Sequence, residues 1–222
     1  MSDSEVFRAK VRAMLKQGEG SIPWMYLDTV GKVTVGVGNM LPSAAAAQAL
    51  PFEEADGRAA NAGVIADAFQ DVLAQPKGRA AGAYESVTSI RLSEQGINDL
   101  LDQRIDEFES GLRQRFPGFD SYPDPARMGI LDMAFNLGLN GLQTKFPTFA
   151  RCASNKDWNC CANQCRRTGI QESRNVETSQ LFLAAAQGGS GHEPGNFSGV
   201  PQGPETQGVS GLPEASPGRR GD

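Results

Sequence analysis

The chain has 222 residues, 39% hydrophobic and 21% charged, with 21 basic against 26 acidic side chains and a net charge of −5. That length carries a domain with a full core; no apolar run approaches the roughly 18 residues of a membrane helix, and the acidic balance argues against a nucleic-acid partner. The only histidine is His192, and if it lies outside the core, Ser-His-Asp, HExxH zinc and Cys-His chemistry fall together.

The N-terminal stretch mixes charges through its first helix and has no apolar h-region, so no secretory signal peptide is read there. Ser2 and Glu5 have capping-box spacing. Phe7, Val11, Met14 and Leu15 then recur with helical period, and Gly18 and Gly20 end the helix. Residues 24–28 and 33–37 read as two short strands around a turn at Gly31. Val33, Val35 and Val37 share one face of the second, and Thr34, Gly36 and Gly38 share the other. Residues 43–75 are Ala-rich, with two helical stretches parted by Pro51, and 78–88 looks like a loop. Ser93 caps a helix with the stripe Ile97, Leu100, Leu101, Ile105 and Phe108. Asp124-Pro125 opens another over 126–137; being apolar on most sides, it reads as the buried central helix. Shorter helices are expected over 147–153, 157–167 and 175–186.

From Gly188 onward the composition changes. Residues 188–222 hold 10 of the 26 Gly and 5 of the 13 Pro. Such a segment buries too little apolar surface to offset its ordering entropy and is expected to be disordered. The chain thus divides into a domain over 1–187 and a tail over 188–222, with His192 in the tail and chemistry left to carboxylates, hydroxyls, lysine or cysteine.

Glu19 stands between two glycines at the end of the first helix, Asp28 ends the first strand, and Thr34 lies on the return strand. A three-residue turn over 30–32 would set Asp28 opposite Thr34, whereas a two-residue turn would pair it with Val33. Two carboxylates and a hydroxyl so placed are the kit of glycosidic cleavage: a protonated acid for the leaving oxygen and an ionised partner across the sugar. Glu19 would be the acid, since the negative end of the helix dipole and partial burial disfavour its charged form. Asp28 would stay ionised as base, with Thr34 holding the attacking water. The bland alternative is a solvated linker glutamate and ordinary Asp-Thr turn chemistry.

Gly18-Glu19-Gly20, Tyr26-Leu27-Asp28-Thr29-Val30-Gly31 and Thr34-Val35-Gly36-Val37-Gly38 resemble the phage-type lysozymes, the T4 lysozyme-like muramidase family, whose Glu, Asp and Thr have this spacing. The resemblance continues weakly through 93–116, returns in Asp132-Met133-Ala134-Phe135-Asn136-Leu137-Gly138 and over 146–182, and so spans most of 5–186. It implies an α+β, two-lobed lysozyme-like fold, mostly helical with a small β-hairpin lobe. The implied activity is hydrolysis of the β-1,4 bond between N-acetylmuramic acid and N-acetylglucosamine with inversion, needing no cofactor or metal. Glu19, Asp28 and Thr34 would inherit the acid, base and water-holding roles, and Gly38 and Asn136 substrate contacts, with helix-end capping the alternative for the Asn136 amide. Arg174 matches an arginine that in relatives pairs with the catalytic Glu; the alternative is a solvated arginine.

Departures from the phage pattern are Asn39, where several members have histidine, a longer Ala-rich 43–90 segment, and an acidic balance that weakens attraction to an anionic wall. The stretch Arg-Thr-Gly-Ile-Gln-Glu-Ser-Arg-Asn over 167–175 looks more like bacterial lysozyme domains, including those of antibacterial secretion-system effectors. On that reading the partners are a peptidoglycan glycan strand and, for an effector, an immunity protein. Delivery to the periplasmic wall would use a holin, a specialised secretion system or a longer parent protein. A lytic transglycosylase of the same fold type and a non-catalytic wall-binding module are the rival readings.

Cys152, Cys160, Cys161 and Cys165 fall within 14 residues. Their spacing matches no standard zinc motif. Disulfides fit a periplasmic protein, with Cys152 joining across to the next helix and Cys161 and Cys165 one helical turn apart. Buried free thiols are the alternative.

Overall fold

Ser2 opens the first helix as its spacing with Glu5 requires. Its hydroxyl accepts from the Glu5 N–H, and the Glu5 carboxylate accepts from the Ser2 N–H at 2.6 Å, a reciprocal cap on two otherwise unpaired donors. The computed structural model describes residues 2–188; the expected disordered tail lies outside them apart from Gly188, and so does His192. Helix α1 (Asp3–Glu19) buries Phe7, Val11 and Leu15 and stops at Gly20, whose φ of 82° suits a residue without Cβ.

A three-stranded antiparallel sheet follows, in the order β1 (Ile22–Leu27), β2 (Val33–Gly36), β3 (Asn39–Met40). The third strand was not anticipated. Neither expected turn register occurs: Leu27 pairs with Val33 and Tyr26 with Thr34, while the Asp28 N–H donates to the Lys32 carbonyl at 2.9 Å. The loop is therefore Thr29-Val30-Gly31, with Gly31 at φ 88° supplying the left-handed residue that such a three-residue hairpin uses. Asp28 lies opposite Lys32, not Thr34.

Helix α2 (Ala44–Gln48) precedes β4 (Phe52–Glu53), which pairs with β5 (Arg91–Leu92) in a second small sheet. Between these strands run α3 (Ala62–Leu73) and a 3-10 turn, Ala81–Tyr84, inside the expected loop. Helix α4 (Glu94–Arg115) is capped by Ser93, whose hydroxyl accepts from the Gly96 N–H. Helix α5 (Asp124–Thr144) runs past the expected end at Leu137, but Gly138 breaks it at φ 71°, ψ 156°. Its first part is the buried helix, with Ile130, Leu131, Met133 and Ala134 fully enclosed.

Three helices complete the domain: α6 (Pro147–Ser154), α7 (Trp158–Gln164) and α8 (Glu172–Ala186). Helix α8 packs on both α5 and α7; a Cβ at Gly129 would lie 2.6 Å from the Phe182 ring, so glycine sets that close approach. The described domain is α+β and mostly helical, and none of its helices is long and apolar enough to cross a membrane.

Candidate active site

Glu19 is the last residue of α1, where main-chain carbonyls run out of helical partners. Its side chain is 29% exposed, and Arg174 of α8 donates from Nη2 to Glu19 Oε1 at 2.7 Å. The same guanidinium donates from Nη1 to the Gly18 carbonyl at 3.1 Å and from Nε to Asp132 Oδ1 at 2.9 Å. Arg174 is thus no solvated arginine; it is buried and ties the end of α1 to α5. Burial opposes its charge, but Asp132 and Glu19 outweigh that and hold its pKa above the ordinary value.

Behind Arg174 lies a charge cluster that the sequence reading missed. Asp132, Arg167 and Thr178 are at most 2% exposed and Asn175 is 5% exposed. Arg167 Nη2 donates to Asp132 Oδ2 at 2.6 Å, and Nη1 to the Asp132 carbonyl at 3.2 Å. The Thr178 hydroxyl lies 2.7 Å from both Asp132 Oδ2 and the Arg174 carbonyl, with one proton to share between them. Asn175 exchanges two hydrogen bonds with the Arg167 main chain, at 2.9 and 3.0 Å. The available signal was Asp132 itself, an acid inside an otherwise apolar helix face, which needs a buried counter-charge.

Asp28 uses one oxygen to form its own turn: Oδ1 accepts from the N–H groups of Val30 and Lys32 at 2.9 and 2.8 Å. Thr34 is 4% exposed and its hydroxyl donates to the Lys32 carbonyl at 3.1 Å, so only its lone pairs remain to orient a water. The turn chemistry of the bland alternative is real, and it leaves Asp28 Oδ2 without a partner among the described residues.

Two further residues join these groups. Burial, then Asp28, then Glu19 push the Tyr26 hydroxyl pKa up, so both carboxylates act on one phenol. Arg104 of α4 feels Glu19, Glu107 and Tyr26, although burial still lowers its pKa. It donates from Nη1 to the Val37 and Gly38 carbonyls, both at 2.8 Å, and its guanidinium sits 5.3 Å from the centre of the Phe135 ring. Gly38, at φ 66°, therefore helps fasten the β1–β3 sheet to α4. Asn136, next to Phe135, is half-buried, and its amide makes no hydrogen bond among the described residues, so it does not cap its helix.

A disulfide joins Cys152 of α6 to Cys160 of α7, with Cα atoms 5.8 Å apart. Cys161 and Cys165 are buried free thiols. Both alternatives for the cysteines thus occur, one in each pair. Among the described residues, no group of three or more His, Cys, Asp or Glu side chains is arranged to hold a metal ion.

No family model matches the chain, and no curated protein matches it.

Proposed function

We propose that the chain is a peptidoglycan hydrolase: a muramidase with a two-lobed, lysozyme-like fold that cuts the β-1,4 bond between N-acetylmuramic acid and N-acetylglucosamine. The observation that carries this reading is the Glu19–Arg174 pair, together with an Asp28 oxygen without a partner among the described residues and a Tyr26 hydroxyl on which both carboxylates act. In this mechanism Glu19 gives its proton to the glycosidic oxygen as that bond breaks. Asp28 takes a proton from the water that attacks the anomeric carbon from the opposite face, and configuration inverts. Glu19 becomes a carboxylate as the leaving group departs, and Arg174 then faces the charge that has just formed. Gly38 and Asn136 would contact the sugar, with Arg104 holding the Gly38 carbonyl.

The resemblance of residues 167–175 to bacterial lysozyme domains supports an antibacterial effector lineage, with an immunity protein as its partner. Action on the periplasmic wall fits the disulfide.

The test is digestion of purified peptidoglycan by the full chain and by Glu19→Gln, with released muropeptides read by mass spectrometry. The wild type releases reducing ends, and Glu19→Gln loses at least about 100-fold in rate, the scale of a lost general acid. Anhydro ends would identify a transglycosylase, wall binding without cleavage by the wild type a binding module, and full activity in Glu19→Gln would overturn the mechanism.

A further inference from the structure

Two guanidinium groups act around Glu19, and they differ in what they have left to donate. Arg174 is spent: Nη2, Nη1 and Nε each have an acceptor, in Glu19, Gly18 and Asp132. Arg104 is not. Its Nη1 serves the Val37 and Gly38 carbonyls, while Nε and Nη2 make no hydrogen bond among the described residues and are not among the buried donors. Glu19, Glu107 and Tyr26 act on it through space, yet none of them forms an ion pair or hydrogen bond with it among the described residues. The free pair, Nε and Nη2, is the edge of a guanidinium that a carboxylate engages with both oxygens. Two carbonyls hold the third nitrogen and the Phe135 ring lies 5.3 Å from the guanidinium carbon, so little side-chain freedom remains to be lost on binding.

We infer that this free edge selects the substrate: Arg104 receives a carboxylate carried on the lactyl branch of the muramic acid sugar, and so sets peptidoglycan apart from an uncharged glycan such as chitin. The same guanidinium holds Gly38, the proposed sugar contact, so sugar and branch would meet adjoining groups. A net charge of −5 gives the chain no general attraction to an anionic wall, which leaves recognition of an acidic branch to a local cation. The carboxylate is the lactyl group itself where no stem peptide is attached, or belongs to the stem peptide where one is. The inference rests on the muramidase reading and names the group that the site selects.

The experiment compares matched glycans. Chains freed of stem peptides carry their lactyl carboxylates either free or converted to carboxamides; peptide-bearing chains carry their peptide carboxylates free or likewise amidated. Chitin oligosaccharides serve as the branchless reference. Binding is measured by calorimetry on the full chain with Glu19→Gln to prevent turnover, alone and combined with Arg104→Gln or Arg104→Lys. A free carboxylate binds about 10-fold or more tightly than its carboxamide, the scale of a charged hydrogen-bonded pair, and chitin binds no better than the carboxamide. Arg104→Gln brings the ratio to one, and Arg104→Lys, a point charge without the fork, leaves it in between.

A preference within the peptide-free pair assigns the group to the lactyl carboxylate, and one confined to the peptide-bearing pair assigns it to the stem peptide. A ratio of one in both pairs, or a ratio that survives in folded Arg104→Gln, overturns the inference. Arg104→Lys, which keeps a charge and a donor for the carbonyls, decides the matter where Arg104→Gln does not fold: an undiminished ratio there overturns it. Release of reducing ends by the wild type tests the hydrolase reading separately. Cleavage with a ratio of one removes the inference alone, whereas a ratio that collapses in the Arg104 variants without any wild-type cleavage removes the hydrolase reading and leaves a site that selects a carboxylate-bearing glycan.

Discussion

Asp28 and Lys32 bond twice across the mouth of the first hairpin. The Asp28 N–H donates to the Lys32 carbonyl at 2.9 Å, and the Lys32 N–H donates back to Asp28 Oδ1 at 2.8 Å. The carboxylate proposed as base is thus also the residue that closes its own loop.

These two duties are separable. Asp28→Asn retains an oxygen for the Val30 and Lys32 N–H groups and removes only the charge, so the fold stays and hydrolysis falls about 100-fold or more if Asp28 is the base. Asp28→Ala also loses the turn, at a further cost of about 1 kcal/mol. Comparing melting temperature and turnover in the two variants checks this. Equal turnover in Asp28→Asn and wild type would assign Asp28 to the turn alone.

Gly18→Ala separates helix stability from site geometry. Alanine should favour an exposed helical position by about 1 kcal/mol over glycine. Yet a Cβ there would lie 2.9 Å from both Cζ and Nε of Arg174, so the guanidinium must move off Glu19 or Asp132. The expected result is a protein no less stable than wild type and several-fold slower on peptidoglycan. Unchanged turnover would show that Arg174 need not sit where it does.

The helices were the legible part of this sequence, because their signals are local. Ser2–Glu5, Ser93–Gly96 and the periodic stripes lie within a few residues of what they specify. The hairpin was legible as a hairpin but not in register, since that depended on which residue took the left-handed conformation. Gly31 took it, and Asp28 moved two positions along the ladder from Thr34. The pairing of Phe52 with Leu92 left no local trace: two-residue strands far apart in the chain show no alternation. The Arg174 contact was expected from resemblance, whereas the Asp132–Arg167–Thr178 cluster joins residues 11 to 46 positions apart and is specified only by the tertiary fold.

The cysteines divide into two testable pairs. In non-reducing buffer, the unfolded chain should show two reactive thiols, from Cys161 and Cys165. Cys152→Ser should lower stability by about 2 to 3 kcal/mol, the loop-closure contribution expected for a separation of 8 residues. Four thiols in the unreduced protein would exclude the bridge.

Cys161 also makes stability depend on alkaline pH. Burial first, then Asp157 and Cys165, push its thiol up to about 12 from an ordinary 9.0. Below pH 9 the thiol is neutral in folded and unfolded chains alike, so it introduces no pH dependence. Between pH 9 and 12 only the unfolded chain loses the proton, and stability falls at up to about 1.4 kcal/mol per pH unit. Chemical denaturation across this range should show that slope, and Cys161→Ala should flatten it. An equal slope in both proteins would place the alkaline sensitivity elsewhere.

The pairing of Phe52 with Leu92 makes the stretch between them a closed excursion that starts and ends at one place, with Ile65, Phe69, Val72 and Tyr84 buried in the common core. Additions or deletions in its exposed loops need not disturb the order of the elements on either side. Helix α3 and the 3-10 turn both pack on the first sheet, and one contact is a directed bond: the Trp24 indole N–H donates to the Ala81 carbonyl at 2.9 Å, with Arg91 5.3 Å from the centre of the same ring. Trp24 sits on the strand that leads into Asp28. The excursion is therefore coupled to the strand of the proposed base through the Trp24 indole as well as through the packing of α3.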